Sequence, residues 1–378
     1  MTVVRADNSH SSDDSSFKAV DQNLEKCRMV NTILFLGGGA RTFRVEVGWD
    51  NGVVVMSRDS AICFDPSSIN TQYRHIFISH AHSDHTAGFM AGRSEKYSTP
   101  ATAAIFEAMT GRTVGRLKTL NYGEKVKVGD FEITAHNAGH ILGSALYMVD
   151  TGEETVLYTG DINCVDTVVT RAAEEVHCDV LVLESTYGSP DFLFPPREEI
   201  YKDLVEWVVS EAWSDAPPAF YVYPVGKSQE IIKLVNHFTE IPVVVDPRIA
   251  RVNEVYSSFG VKLNAAIDDG SSNKSKRGCL VVKPRRLFDP SRPEPGVTPA
   301  MATGWALRFR RANRSFPLSS HADFYQLLSY VRHVKPKIVY TSLGMNGELA
   351  SQIRKKIGVE AQPLKNLTKQ CLHSNSFG

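Results

Sequence analysis

Short apolar runs separated by polar or glycine-containing turns recur from residue 32 to about residue 190. The clearest runs are residues 32–36, 52–56, 61–64, 75–78, 155–158 and 180–183. Apolar runs of this length, bounded by turn residues, are typical of β-strands. In the same part of the chain, helical spacing of apolar residues is found at residues 102–109. The pattern therefore predicts a sheet-rich α/β domain.

The pattern changes after Pro195 and Pro196. Helical periods occupy residues 197–213, 227–238, 248–258 and 323–333, with strand patterns at 221–223 and 338–340. Strands that alternate with helices indicate a small parallel sheet. We therefore predict a small parallel-sheet α/β module in the part of the chain that follows Pro196. Residues 1–28 are rich in Ser and Asp, which predicts a disordered tail.

Composition narrows the class of protein. The 378 residues carry 42 Lys and Arg against 42 Asp and Glu, and this balance argues against a generic nucleic-acid coat protein. Six scattered cysteines without a Cys-x-x-Cys pair predict free thiols in a reducing compartment. No apolar run approaches the ~20 residues of a membrane span. We expect an intracellular protein without membrane association, cytoplasmic or, in a eukaryote, nuclear.

One segment departs from this neutral balance. Residues 274–316 contain eleven Lys and Arg against two acidic residues, together with Trp305 and Phe309. A charge run of this kind is often only a solvated face, but a one-sided excess with aromatic residues also suits a surface that follows phosphates. The predicted nucleic-acid contacts are Lys283, Arg285, Arg286, Arg308, Arg310 and Arg311.

A cluster of metal-ligand residues follows the apolar run at 75–78. His80 and His82 alternate on an extended segment, so that both side chains face the same ion. Asp84 and His85 lie just beyond them and are placed to reach a second ion. Imidazole and carboxylate groups are the ligands that zinc accepts while keeping a position open for water. The motif predicts a zinc centre, although Fe or Mn would suit the same ligands.

Two later motifs supply further ligands. His140 lies in a glycine-flanked turn, where the backbone is able to approach a metal closely, and His136 is a rival ligand four residues earlier. We prefer His140 because of its small neighbours. Asp161 follows the apolar run at 155–158 and offers a carboxylate that is able to bridge two ions.

Taken in order, these motifs resemble those of the metallo-β-lactamase superfamily and, within it, the β-CASP nucleases. The order is His-x-His-x-Asp-His at 80–85, Gly-His at 139–140, Gly-Asp at 160–161, Glu-Ser-Thr-Tyr-Gly at 184–188 and Ser-His-Ala-Asp at 320–323. The first motif marks the superfamily, and the last two are similar to those of the β-CASP group. The resemblance covers about residues 32–350 and is closest in character to the Artemis-like and ligase-associated DNA nucleases.

The resemblance implies an αββα sandwich that carries a small α/β β-CASP domain as an insertion. The insertion would occupy residues 195–315, and residues 29–194 and 316–378 would form the two parts of the metallo-β-lactamase domain. It implies that His80, His82 and His140 hold one zinc ion, with Asp161 bridging and with Asp84 and His85 at a second ion. It also implies that Glu184 orients His321 beside the scissile phosphate, where His321 would act as general acid. Asp84, Glu184 and His321 are thus the predicted catalytic residues.

Leu343 departs from the pattern of the RNA-processing members, which carry a histidine after the corresponding strand. Leucine cannot bind a metal, so we expect one tightly bound ion and a weaker second site. The Artemis-like DNA nucleases also carry an aliphatic residue there, and this favours DNA over RNA.

Residues 225–228, Val-Gly-Lys-Ser, are similar to the end of a phosphate-binding P-loop. The first glycine of that motif would fall at Tyr221, so no Walker motif exists. We expect Gly226 and Lys227 to open a helix whose amino terminus faces a phosphate.

These observations predict a zinc-dependent phosphodiesterase that acts on DNA in repair or processing. An RNA-processing nuclease of the same group is the first alternative. A small-molecule hydrolase such as a lactamase or lactonase, and an inactive nucleic-acid-binding protein, are alternatives of other classes.

Overall fold

The computed structural model describes residues 45–268, 277–292, 294–308 and 314–367. The predicted disordered tail, the apolar run at 32–36, Cys27 and Cys371 lie outside these ranges. The first of three sheets has six strands in chain order, with antiparallel pairing at β1–β2–β3 and parallel pairing from β3 to β6. Its strands are Glu46–Trp49 (β1), Val53–Met56 (β2), Ala61–Phe64 (β3), His75–Phe77 (β4), Glu95–Ser98 (β5) and Leu117–Thr119 (β6).

The second sheet has seven strands in the order β19-β18-β11-β10-β9-β8-β7. They are Lys125–Val128 (β7), Phe131–Asn137 (β8), Ala145–Asp150 (β9), Thr155–Tyr158 (β10), Val180–Glu184 (β11), Ile338–Ser342 (β18) and Glu360–Pro363 (β19). Strands β10, β11, β18 and β19 pair in parallel. Strand β18 comes from the last part of the chain. The second sheet therefore contains strands that precede the third sheet in the sequence and strands that follow it.

The first two sheets pack face to face around one core. Val55 and Phe64 of the first sheet share a buried cluster with Tyr147 and Val182 of the second. Three helices flank these sheets: Pro100–Thr110 (α1), Phe324–Val334 (α5) and Asn346–Ile357 (α6). Helices α5 and α6 cover the outer face of the second sheet, where Leu327 packs in the same cluster as residues of β11 and α6. The predicted α/β sandwich architecture is confirmed.

The third sheet is parallel throughout, in the order β14-β13-β15-β12-β16-β17. Its strands are Pro218–Val222 (β12), Val243–Val245 (β13), Ala266–Ile267 (β14), Leu280–Pro284 (β15), Thr298–Ala302 (β16) and Arg314–Phe316 (β17). Helices Arg197–Glu211 (α2), Lys227–Phe238 (α3) and Pro247–Ser258 (α4) belong to the same part of the chain. Apolar residues of all three helices share a buried cluster with this sheet. The boundaries at 195 and 315 stay a prediction.

Every helix within the described ranges is too short or too polar to cross a lipid bilayer.

Candidate metal centre

The carboxyl ends of three strands carry most of the predicted site residues. His80 and His82 lie on the loop after β4, Asp161 follows β10, and Glu184 is the last residue of β11. Because β10 and β11 are parallel neighbours, their carboxyl ends lie at the same edge of the sheet. The Ile162 N–H donates to Glu184 Oε1 over 2.7 Å, which ties the two strand ends together.

Two glycines allow the ligand loops to approach each other. Gly139 has φ +73°, and a Cβ there would lie 2.5 Å from the Asn163 carbonyl oxygen. Gly160 has φ +53°, and a Cβ there would lie 2.6 Å from the side chain of Ser79. Any other residue would therefore be strained and would push His140 or Asp161 out of place.

Three imidazoles converge, of which His80 and His140 are buried and His82 is half-buried. His82 Nδ1 lies 3.2 Å from His80 Nε2 and 3.0 Å from His140 Nε2. The ring centroids of the three histidines lie 4.7–4.9 Å apart, with steep interplanar angles. Neighbouring nitrogens on a tetrahedral ion with bonds of about 2.0–2.1 Å would be separated by roughly 3.4 Å. The observed spacing is close to that separation.

The second nitrogen of each imidazole has its own acceptor. His80 Nδ1 lies 2.9 Å from Ser79 Oγ, His82 Nε2 lies 3.3 Å from the Val225 carbonyl oxygen, and His140 Nδ1 lies 2.7 Å from the Ser320 carbonyl oxygen. If each of these nitrogens carries the proton, the other nitrogen turns a lone pair toward the centre. Outer hydrogen bonds that fix the tautomer in this way are typical of metal-binding histidines.

Asp161 completes this donor group. Its Oδ2 lies 3.4 Å from His80 Nε2 and 3.8 Å from His140 Nε2, while its buried Oδ1 has no hydrogen-bond partner among the described residues. An unpaired buried carboxylate oxygen is costly unless a ligand satisfies it. The set His80, His82, His140 and Asp161 therefore fits a divalent metal.

His85 lies on the far side of the same carboxylate. Its Nε2 is 3.7 Å from Asp161 Oδ2, and its Nδ1 lies 2.7 Å from Asp65 Oδ2. Asp84 lines the same cavity, but its side chain is 78% exposed and its Oδ2 lies 3.7 Å from His85 Nε2. The structure thus places His85 inside the cluster and Asp84 at its solvent edge.

Glu184 and His321 form a pair beside the cluster. His321 Nδ1 lies 3.1 Å from both carboxylate oxygens of Glu184 and 3.9 Å from Asp161 Oδ2. Glu184 is fully buried, whereas His321 is partly exposed and lines the cavity. The structure therefore brings together the two residues that were predicted to act as a pair.

The electrostatics of the centre suit neutral imidazole ligands. Burial and the neighbouring histidines lower the pKa of His80 and His140 well below the usual range, and burial lowers the pKa of His82 to about 4. Burial also raises the pKa of Asp161 to about 6, against the opposing effect of His85. Burial disfavours the charged form of His85, but the carboxylates of Asp161 and Asp65 outweigh it and raise the pKa to about 10.

A cavity of about 470 Å³ opens over the donor groups. Tyr187 and Trp305 line one part of it, Tyr223 and Leu343 line others, and His82 and His140 are also among the lining residues. Its volume is within the range of about 300–1,000 Å³ that is typical of ligand pockets. Residues from the third-sheet region and from the sandwich therefore contribute to one site.

His136, the rival ligand, lies outside the cluster. Its Nδ1 lies 3.0 Å from Glu174 Oε2 at the surface. It belongs to β8, whereas the loop after β8 carries His140 into the centre.

Gly226 and Lys227 are engaged in hydrogen bonds within the protein, and their binding of phosphate stays a prediction. The amide of Gly226 donates to Gln229 Oε1, that of Lys227 to the Val225 carbonyl, and that of Ser228 to the Tyr223 carbonyl. Their hydrogens are thus used inside the turn rather than offered to a phosphate. The Lys227 ammonium is buried and donates to the Leu318 carbonyl oxygen and to Ser320 Oγ.

The predicted basic face is neutralised in part where the structure describes it. Lys283 Nζ lies 2.6 Å from Glu294 Oε1, and Arg308 forms an ion pair with Asp191. Arg286 is exposed on a 3₁₀ turn. Arg310 and Arg311 lie outside the described residues.

Arg285 differs from its neighbours because it reaches a residue of the cavity. Its guanidinium donates to Tyr223 Oη over 2.8 Å and lies 5.6 Å from the ring centroid. The Tyr223 ring in turn lies 6.1 Å from the ring of His82.

The sequence interpretation missed Asp65. This buried carboxylate accepts from the Ser79 N–H, the Ser79 hydroxyl and Tyr158 Oη, and it also contacts His85. It holds the loop after β4 in place and supports two cluster histidines, His85 directly and His80 through Ser79. Its position directly after the apolar run at 61–64 could have identified it, because Asp161 was predicted from its position after another apolar run.

Several relatives of known name are similar to this chain. A probable DNA ligase of Opitutus terrae is 31% identical over 295 residues, which are 75% of this chain and 28% of that protein. An RNase J-like protein of Methanocaldococcus jannaschii is 28% identical over 224 residues, or 53% of each chain. RNase aCSPSF2 of Saccharolobus solfataricus is 27% identical over 266 residues, covering 61% of this chain and 53% of the relative.

The model of the beta-lactamase superfamily domain matches residues 49–211, which contain the histidine motif, His140, Asp161 and Glu184. This match and the named relatives support the metallo-β-lactamase superfamily, and within it the β-CASP group, as the family of this chain. A solved structure of a protein of unknown function from Enterococcus faecalis V583 shares the fold. Its TM-score is 0.57 at 13% identity, covering 78% of this chain and 92% of that one. The chain spans about a quarter to a half of the length of the three named relatives.

Proposed function

We propose that this chain is a zinc-dependent nuclease that hydrolyses phosphodiester bonds, with DNA as its preferred substrate. One juxtaposition carries the proposal: the donor group around Asp161 and the Glu184–His321 pair meet within 4 Å at the same carboxylate. Such a site offers a metal on one side and a proton donor on the other, and both groups accelerate hydrolysis of a phosphodiester.

In this proposal His80, His82, His140 and Asp161 hold the ion. A bound divalent ion lowers the pKa of water and neutralises charge on the phosphate oxygens. His321 protonates the departing oxygen through Nε2, because its Nδ1 is held by Glu184. Asp84, exposed at the edge of the cavity, orients water or contacts a second ion.

Two observations favour DNA. Leu343, a residue without ligand capacity, lines the cavity where RNA-processing members of the group carry a histidine. The relative named as a probable DNA ligase aligns over 75% of this chain. RNA processing is the second candidate, because the relatives from M. jannaschii and S. solfataricus are named as RNases.

The test is cleavage of single-stranded DNA and RNA of the same sequence, labelled at either end, by protein of defined metal content. Asp84→Asn is the inactive control, and its exposed side chain makes a folding defect unexpected. Cleavage of DNA that is lost in Asp84→Asn supports the proposal, and cleavage of RNA alone supports the second candidate. If neither polymer is cut while a lactam or lactone is hydrolysed, the nuclease proposal fails.

Tyr223→Ala is expected to weaken binding of single-stranded DNA. The ring is 44% exposed, lines the cavity and lies against Arg285, which makes it a platform for an unpaired base. Loss of such stacking costs about 1–3 kcal/mol of binding free energy. Fluorescence anisotropy in an Asp84→Asn background measures it. Tyr325→Ala, an exposed tyrosine outside the cavity, is the control, and equal losses in both variants would contradict the assignment.

Leu343→His is expected to raise the bound metal from one ion per chain toward two. Leu343 lines the cavity together with Asp84, His85 and Asp161, and an imidazole there would add the donor that the second site lacks. Its φ of +60° is unfavourable for any side chain, so the substitution adds little new backbone strain. Elemental analysis after equilibration with Zn²⁺ checks the stoichiometry, with Leu343→Ala as control. Two ions in the unchanged protein would contradict the expectation.

A further inference from the structure

The segment of residues 318–321 connects the two halves of the candidate site. It carries His321, and its Ser320 carbonyl oxygen accepts from His140 Nδ1 over 2.7 Å. The segment is neither helix nor strand, so no regular ladder satisfies its backbone. Buried carbonyl oxygens in such a segment need donors from elsewhere.

A lysine from α3 supplies one of these hydrogen bonds and donates a second one to a side chain of the segment. Lys227 Nζ donates to the Leu318 carbonyl oxygen over 2.9 Å and to Ser320 Oγ over 3.1 Å. Its side chain is buried, with only 5% of the residue exposed. Burial of an ammonium group costs free energy unless the group is hydrogen-bonded. The burial of Lys227 therefore indicates that these hydrogen bonds have a structural role.

An arginine from α2 supplies the next one. Arg197 Nη2 donates to the Ser319 carbonyl oxygen over 2.6 Å, while its Nη1 pairs with the buried Glu230 of α3. Tyr201 Oη donates to the same Glu230 oxygen over 2.6 Å. Two helices are thereby joined to each other and to the segment that carries His321.

We propose that Lys227 and Arg197 are positioning residues, which hold residues 318–321 so that His140 faces the metal and His321 faces the substrate. The part that concerns His321 rests on the proposed nuclease function, whereas the part that concerns His140 needs only metal binding. Helices α2 and α3 thus influence the candidate metal centre through the side chains of Arg197 and Lys227, which hold residues 318–321.

Removal of the Lys227 ammonium leaves the Leu318 carbonyl oxygen buried without its donor, and the segment shifts to find another. The Ser320 carbonyl then no longer aligns the His140 ring. Loss of a group that orients a metal ligand typically costs about 10–100-fold in metal affinity or activity. We expect Lys227→Met to weaken Zn²⁺ binding by that factor and to lower kcat with little change in KM.

The experiment measures the Zn²⁺ affinity of metal-free protein by competition with a chromophoric chelator, without any nucleic acid. Lys233→Met is the matched control, because Lys233 also lies on α3 and donates to a backbone carbonyl, that of Lys262, away from the centre. Arg197→Lys is the second variant. It keeps a positive charge beside Glu230 but loses the two-pronged contact, and it decides the question if Lys227→Met does not fold.

Weaker Zn²⁺ binding in Lys227→Met and Arg197→Lys, with Lys233→Met unchanged, supports the proposal. Affinities of the folded variants within twofold of the unchanged protein overturn it, as does an equal loss in Lys233→Met. Because the measurement uses no substrate, a chain that cleaves neither polymer but shows this pattern would refute the nuclease function alone.

Discussion

We expect His82→Ala to abolish tight metal binding and to lower hydrolysis on the order of 10⁴-fold, the scale seen when one member of a catalytic unit is removed. His82 Nδ1 lies between the facing nitrogens of His80 and His140, so its loss opens the donor group at the centre. Zinc content after dialysis and kcat/KM for single-stranded DNA measure the two effects together.

The matched control is His136→Ala. Its imidazole is near in sequence to His140 and pairs with Glu174 at the surface, outside the donor group. We expect its zinc content and activity to equal those of the unchanged protein. If His136→Ala loses zinc while His82→Ala retains it, the assignment of the ligands is wrong.

We expect His321→Ala to lower kcat by about 10²–10⁴-fold, the usual contribution of a general acid, and to leave the zinc content unchanged. Glu184 holds His321 Nδ1, so Glu184→Gln falls in the same range and the double variant is no worse than the poorer single one. Rates with a natural DNA strand and with a nitrophenyl phosphodiester separate the roles. The nitrophenolate leaves without protonation, so this ester restores the rate of His321→Ala but not that of His82→Ala.

Two results would contradict a general-acid role for His321. One is loss of zinc from His321→Ala, which would make the side chain a metal ligand with Asp161 and Glu184. The other is an equal defect with the natural and the activated ester.

Much of the metal centre was predictable because its ligands follow strands in short local motifs. His80 and His82 are two residues apart on an extended segment, and alternation alone places them on one side. Asp161 and Glu184 end apolar runs that become parallel neighbours. In each case the signal lies within a few residues of the ligand.

Contacts between distant segments were not predictable in this way. Lys227 belongs to a motif that is similar to the end of a phosphate-binding P-loop. Its ammonium nevertheless donates hydrogen bonds to Leu318 and Ser320, which lie more than ninety residues later in the sequence. Arg308 counts as one of the basic residues, yet Asp191 neutralises it from another part of the chain. A count of charges along the sequence does not reveal such pairs. It therefore overestimated how much positive charge residues 274–316 offer to a phosphate backbone.

The strands show the same difference between features that local sequence predicts and features that depend on distant contacts. Residues 61–64 and 155–158 form strands with the predicted bounds, because both are continuous apolar runs in buried sheets. Strand β7, Lys125–Val128, alternates Lys and Val with one face exposed, and no prediction included it. Strand β17, Arg314–Phe316, is only three residues long and depends on its pairing with β16.

The most direct test of the account is removal and return of the metal. Protein treated with a chelator and dialysed is assayed on end-labelled single-stranded DNA, alone and after stepwise addition of Zn²⁺. The account predicts no cleavage by the metal-free protein and recovery of most of the activity at about one equivalent, as expected for one tight site with three histidines and a carboxylate. Cleavage that is unchanged without metal, or that never returns in properly folded protein at any Zn²⁺ concentration, would contradict it.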